Sequence, residues 1–123
     1  MFVFDLLTGA INMHAGDTGT ATYNISGATL GESDRVLWTM INQSGVVVKQ
    51  NILTADANND VTVTFANADT DELPAGTYRY DMRVVINPQY ETVDEKQVIV
   101  DGDDVTTLSD PMTVTIKSTI GKV

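Results

Sequence analysis

From Tyr78 to Val84 the chain places Tyr78, Tyr80, Met82 and Val84 at every second position, with Arg79, Asp81 and Arg83 between them. A helix would mix these two sets around its circumference. A pleated strand separates them, so one face is apolar and the other charged. A strand of this kind must bury one face against a second layer, and other segments repeat the pattern. Thr20–Ile25 alternates, Arg35–Ile41 sets Val36, Trp38 and Met40 on one side, and Val61–Phe65 sets Val61, Val63 and Phe65 opposite Thr62 and Thr64. Val46–Leu53, Gln97–Val100 and Met112–Lys117 complete the series. Seventeen threonines and 15 valines suit a pleated surface, since β-branched side chains are stiff at χ1.

Turn signals separate these runs: Ala15-Gly16-Asp17, Gln43-Ser44-Gly45 and Asp101-Gly102. Helical spacing is confined to one turn at Asn67–Leu73, where Asp69 is placed to cap and Leu73 to tuck inward. The expectation is an all-β, antiparallel sandwich of seven to eight strands forming a single domain over residues 1–123. A chain of this mass buries about two-thirds of its unfolded surface, enough for one core. Leu73-Pro74-Ala75-Gly76-Thr77-Tyr78 enters the clearest strand through Pro and Gly, and so matches the tyrosine corner of immunoglobulin-like sandwiches. Trp38 is then the large core residue, and Tyr80 joins it. With no cysteine, hydrophobic packing replaces the usual inter-sheet disulfide.

The same composition excludes several function classes. Absence of cysteine removes thiolate metal sites and thiol nucleophiles. Seven basic residues against 17 acidic ones give a net charge of −10, which repels phosphate backbones and anionic membranes. Neither a nucleic acid nor a membrane is therefore expected as a partner. No apolar run approaches the ~18 residues of a membrane span, and Met1–Leu7 lacks the basic start of a signal peptide. That segment reads either as a first strand or as an arm reaching a neighbouring subunit through Phe2, Phe4 and Leu6. On the arm reading, deleting residues 1–7 leaves a folded monomer that no longer assembles. On the strand reading, the deletion unfolds it.

Candidate chemistry is thin. Asp56-Ala57-Asn58-Asn59-Asp60 begins like a calcium loop, but Val61 stands where the loop requires glycine and Asn67 where it requires glutamate. Asp101, Asp103 and Asp104 around Gly102 form a weak calcium candidate beside the plain reading of a solvated acidic hairpin. His14 is the single imidazole, and no G-x-S-x-G elbow accompanies it. No phosphate-binding loop is present. The sequence thus points to no enzyme and to no cofactor.

Asp69-Thr70, Leu73, Gly76, Tyr78, Tyr80-Asp81 and Val84-Val85 form a D-T-x-x-L-x-x-G-x-Y-x-Y-D pattern that runs into an apolar strand. This pattern resembles the immunoglobulin-like domain of bacteriophage structural proteins, notably the N-terminal domain of upper baseplate proteins and related tail components. The likeness extends over roughly residues 10–117. The chain departs from it at Asp110-Pro111, where proline stands in place of glycine, and in the acidic length of Gln89–Asp104. The resemblance implies a virion building block, assembled in the host cytoplasm, with other virion proteins and copies of itself as partners. Contacts are then expected at Met1–Leu7, at Gln89–Asp104 and at the tail Ser118–Val123. The alternative is a carbohydrate-binding or adhesion module of a phage fibre or bacterial surface, with Tyr90, beside Gln89 and Glu91 in an expected loop, as the aromatic that would stack on sugar.

Overall fold

The alternating segments become strands β1 (Val3–Phe4), β2 (Ile11–His14), β3 (Gly19–Asn24), β4 (Arg35–Ile41), β5 (Val47–Leu53) and β6 (Asp60–Phe65). A single helical turn, α1 (Asn67–Thr70), leads to β7 (Gly76–Ile86), β8 (Gln89–Val93), β9 (Lys96–Asp101), β10 (Asp104–Thr107) and β11 (Met112–Lys117). This is a computed structural model, and it describes residues 1–121. The chain is an all-β sandwich.

The longest strand, β7, runs through the middle of the large sheet, whose order is β1-β2-β11-β7-β4-β5. One edge of β7 pairs with β4 along Arg79–Val85. Its other edge is shared by two strands in succession: β11 pairs with Gly76–Tyr80 and β10 with Arg83–Ile86. The break between them falls at Ser109-Asp110-Pro111. Proline has no N–H to donate, so the last bond before the break is from Leu108 N–H to the Met82 carbonyl at 3.0 Å. The second layer is β3 paired antiparallel with β6.

Two expectations need correction. The strands number eleven among the described residues rather than seven or eight: β2, β8 and β10 fall outside the runs read from alternation, β2 because it is only four residues long, β8 and β10 because they are exposed throughout. Nor is the sandwich purely antiparallel: β2 and β11 run parallel, Ile11 opposite Val114 and His14 opposite Lys117. Alternation sets the face of a side chain and says nothing about strand direction.

Between the layers lie Trp38, Tyr80, Phe65, Ile11, Met13, Val63 and Ile116, all fully buried or nearly so. Trp38 stacks on Tyr80 with ring centroids 4.8 Å apart and meets Phe65 edge-on at 5.6 Å. Each large side chain of this kind contributes about 2–3 kcal/mol by leaving water.

Asp69 stabilises α1 from a different position than expected. Ala66 occupies the cap, and the Asp69 carboxylate reaches back from the first turn to accept the Ala66 N–H at 2.7 Å. Thr70 is buried and its hydroxyl accepts the Gly16 N–H at 2.9 Å, while Leu73 packs half-buried against the core.

Within Met1–Leu7 the chain forms the two-residue strand β1, and its two phenylalanines pack inward. Phe2 packs on Phe65 and Phe4 edge-on against Tyr23, with centroids 5.4 and 5.0 Å apart. Gly19 lies directly beneath Phe2, and a Cβ there would overlap the ring. Phe2 and Phe4, expected at an interface, thus pack half-buried against this chain's own core. Leu6 and Leu7 do point to solvent. Replacing Phe2 and Phe4 together by alanine is expected to lower stability by about 3 kcal/mol, since two half-buried rings are lost. A thermal melt checks this, and an unchanged midpoint would return the segment to the arm reading.

Candidate functional site

Three tyrosines tie the fold together through their hydroxyls. Tyr78 donates to the Pro74 carbonyl at 2.7 Å, which is the geometry of a tyrosine corner. Tyr80 donates to the Gly9 carbonyl at 2.5 Å and accepts from the Tyr23 hydroxyl at 2.9 Å. The Trp38 indole N–H lies near the Tyr23 hydroxyl without hydrogen-bonding geometry. Burial raises the ionisation of Tyr23, Tyr78 and Tyr80 above the ordinary phenol value of 10.0. These phenols are structural hydrogen-bonding groups that stay neutral, not acids or bases.

Lys49, which sequence reading passed over, is the buried cation. Its side chain is 6% exposed, and its ammonium donates to the Thr64 carbonyl at 3.0 Å and to Asp69 Oδ2 at 3.1 Å. It also sits 4.9 Å from the centre of the Phe65 ring. Regular antiparallel register sets Lys49 opposite Met40, on the inward face that Asn51 and Leu53 share opposite Trp38 and Val36, and the strand becomes irregular only beyond this pair.

The remaining candidates are scattered. His14 lies in β2, and its backbone N–H donates to Asp17 Oδ2 at 2.9 Å, which is the main reason the Asp17 carboxyl is held below its usual range. Asp56 turns its carboxylate onto its own loop, accepting the Asn58 and Asp60 N–H groups. Asp101 accepts from the Gly102 N–H and Asp103 from the Asn87 amide. Among the described residues no three carboxylates or imidazoles converge, so Asp101, Asp103 and Asp104 are not arranged to hold a cation. Surface depressions of about 280, 270 and 260 Å³ are open and lie at the lower end of ligand-site sizes.

Gln89–Asp104 contains a hairpin, β8–β9, and the strand expected at Gln97–Val100 lies within β9. Asp94 and Glu95 both have positive φ (51° and 65°), the two-residue turn whose twist matches paired strands. Tyr90 is thus a strand residue of β8, 37% exposed. The tail residues Ser118 and Thr119 run back along the β2–β3 turn, where the Thr119 hydroxyl donates to the Ala15 carbonyl at 3.0 Å and Ile120 is exposed. Lys122 and Val123, also part of the expected tail contact, lie outside the described residues.

Sequence reading also missed the outward face of the large sheet. Pairing sets Leu37, Thr39 and Ile41 of β4 beside Arg83, Asp81 and Arg79 of β7, with Ile52, Gln50 and Val47 of β5 on the far side. Only the register reveals this block, because each strand contributes three residues that look like ordinary surface. No family model matches the chain, and no curated protein is significantly similar to it.

Proposed function

We propose that the chain is a non-enzymatic structural subunit of a bacteriophage virion, in the tail, baseplate or a related component, that works through contacts with copies of itself and with other virion proteins. The observation that carries this reading is what the residues of the phage-like pattern do. Thr70 holds the Gly16 turn, Asp69 holds Lys49 and the start of α1, and Tyr78 locks the entry to β7. A pattern devoted to holding two sheets together belongs to a part whose product is shape. The strands supply the means of contact. β5 and β1 end the large sheet with unpaired edges, and strand β8 of the β8–β9 hairpin is exposed along its length. A net charge of −10 keeps free subunits apart until a complementary surface is met.

One observation favours the carbohydrate-binding alternative: Tyr90 is exposed on β8, an aromatic ring open to stacking on a sugar. Light scattering of the purified protein, followed by a glycan array, separates the two. The structural reading expects a defined oligomer and no glycan bound. A 13.3 kDa monomer that binds a glycan, with binding lost in Tyr90→Ala, would overturn it.

A further inference from the structure

The large sheet has two faces, and only one is covered by β3 and β6. On the other, Leu37, Ile41 and Ile52 are half-exposed, Val47 is exposed, and Arg79 and Arg83 of β7 flank them, with Ile99 and Asp101 of this chain's own β9 bordering the Leu37–Arg83 end. Neither arginine makes an ion pair among the described residues. Asp81 is the one carboxylate within this block. In a chain this acidic, an aliphatic face bearing two unpaired arginines is the local exception.

The opposite exception is the β8–β9 hairpin with its following turn. Residues 89–104 hold Glu91, Asp94, Glu95, Asp101, Asp103 and Asp104 against the single Lys96, a net charge of −5. β8 and β9 pair only with each other, and β8 is exposed at every position, with Glu91 and Val93 on one face and Tyr90 on the other. A lone two-stranded hairpin is marginal in water and gains stability when it lies on a surface.

We infer that the outward face of β4, β5 and β7 is a docking surface for the acidic β8–β9 hairpin of a second copy of this chain. This rests on the assembly reading above and names the surface through which assembly occurs. The partner is a second copy because the two complementary surfaces are carried on the same molecule. The aliphatic rows receive Val93, and Arg79 and Arg83 receive Glu91, which shares that face of β8, and the neighbouring carboxylates. The two surfaces differ, so the contact is head-to-tail, and it repeats into a ring or a filament according to the rotation per subunit. Being charge-driven at its rim, it weakens as salt screens the pairs.

The test uses two charge reversals in exposed residues, Arg79→Glu with Arg83→Glu and Glu91→Lys with Glu95→Lys, checked for unchanged circular dichroism and melting. Sedimentation across protein concentration should show wild-type association at low salt. Each reversed variant alone should associate at least about tenfold more weakly. Mixed in equal amounts, the two should recover association, because each acidic hairpin then meets a basic face and each basic hairpin an acidic face. If wild type associates and neither reversal weakens it, or the mixture fails to recover, this surface is overturned while the assembly reading stands. Wild type that stays monomeric at every concentration overturns the surface as a self-contact. Binding of an unrelated acidic protein that depends on Arg79 and Arg83 would then reassign its occupant, and glycan binding would bring down the assembly reading as well.

Discussion

Trp38→Ala is expected to destabilise the protein by about 4 kcal/mol, a large part of the 5–15 kcal/mol that holds a domain of this size. The indole is fully buried, stacks on Tyr80 from the neighbouring strand and meets Phe65 from the opposite layer. Its removal therefore opens a cavity where both sheets meet. No disulfide crosses the layers to limit the consequence, since the chain has no cysteine. Urea unfolding measures this as a lower midpoint with an unchanged slope. A loss below about 1 kcal/mol would mean that the layers are not joined through Trp38.

Tyr80→Phe is expected to cost about 2–3 kcal/mol although it removes one oxygen. The Gly9 carbonyl and the Tyr23 hydroxyl both lose their partner in a buried setting, and each unsatisfied group carries its own desolvation penalty. Tyr23→Phe and the double variant complete a cycle, in which the second substitution should cost less once the first is made. The same network sets an alkaline limit. Tyr23, Tyr78 and Tyr80 ionise higher in the folded state than the unfolded value of 10.0. Their stabilisation is complete below about pH 10 and is lost as pH rises from there toward the folded values, because the unfolded chain releases its protons first. Denaturant midpoints measured against pH should fall more steeply above pH 10 in wild type than in Tyr80→Phe. Parallel curves would remove the network from the account.

Much of the sandwich is legible without coordinates, because burial on one face writes itself as alternation. β4, β6 and β7 each put large apolar side chains at every second position, and the segments Arg35–Ile41, Val61–Phe65 and Tyr78–Ile86 can be read directly from them. The corner at Tyr78 is legible for a related reason, since Pro74 and Gly76 mark the bend that brings its hydroxyl back to backbone. What escapes reading depends on pairs. β8 presents Gln89, Tyr90, Glu91, Thr92 and Val93 to solvent on both faces, so no period survives. Lys49 sits in an aliphatic run where a charge suggests an outward side chain, and only its pairing opposite buried Met40 and its partners Asp69 and Thr64 explain its burial. Phe2 suits a strand or an arm equally until Gly19 is seen beneath it. The outward block of Leu37, Ile41, Arg79 and Arg83 exists only once β4 and β7 are in register.

Amide hydrogen exchange of the β8–β9 hairpin, followed from dilute to concentrated protein, tests most directly whether this sandwich works by contact between its copies. A hairpin paired only with itself exchanges quickly in the free subunit. The account predicts that residues 89–101 gain protection as concentration rises, and lose it again in high salt or when Arg79 and Arg83 are reversed. Exchange in that hairpin that stays the same at every concentration, while the core strands remain protected, would contradict it.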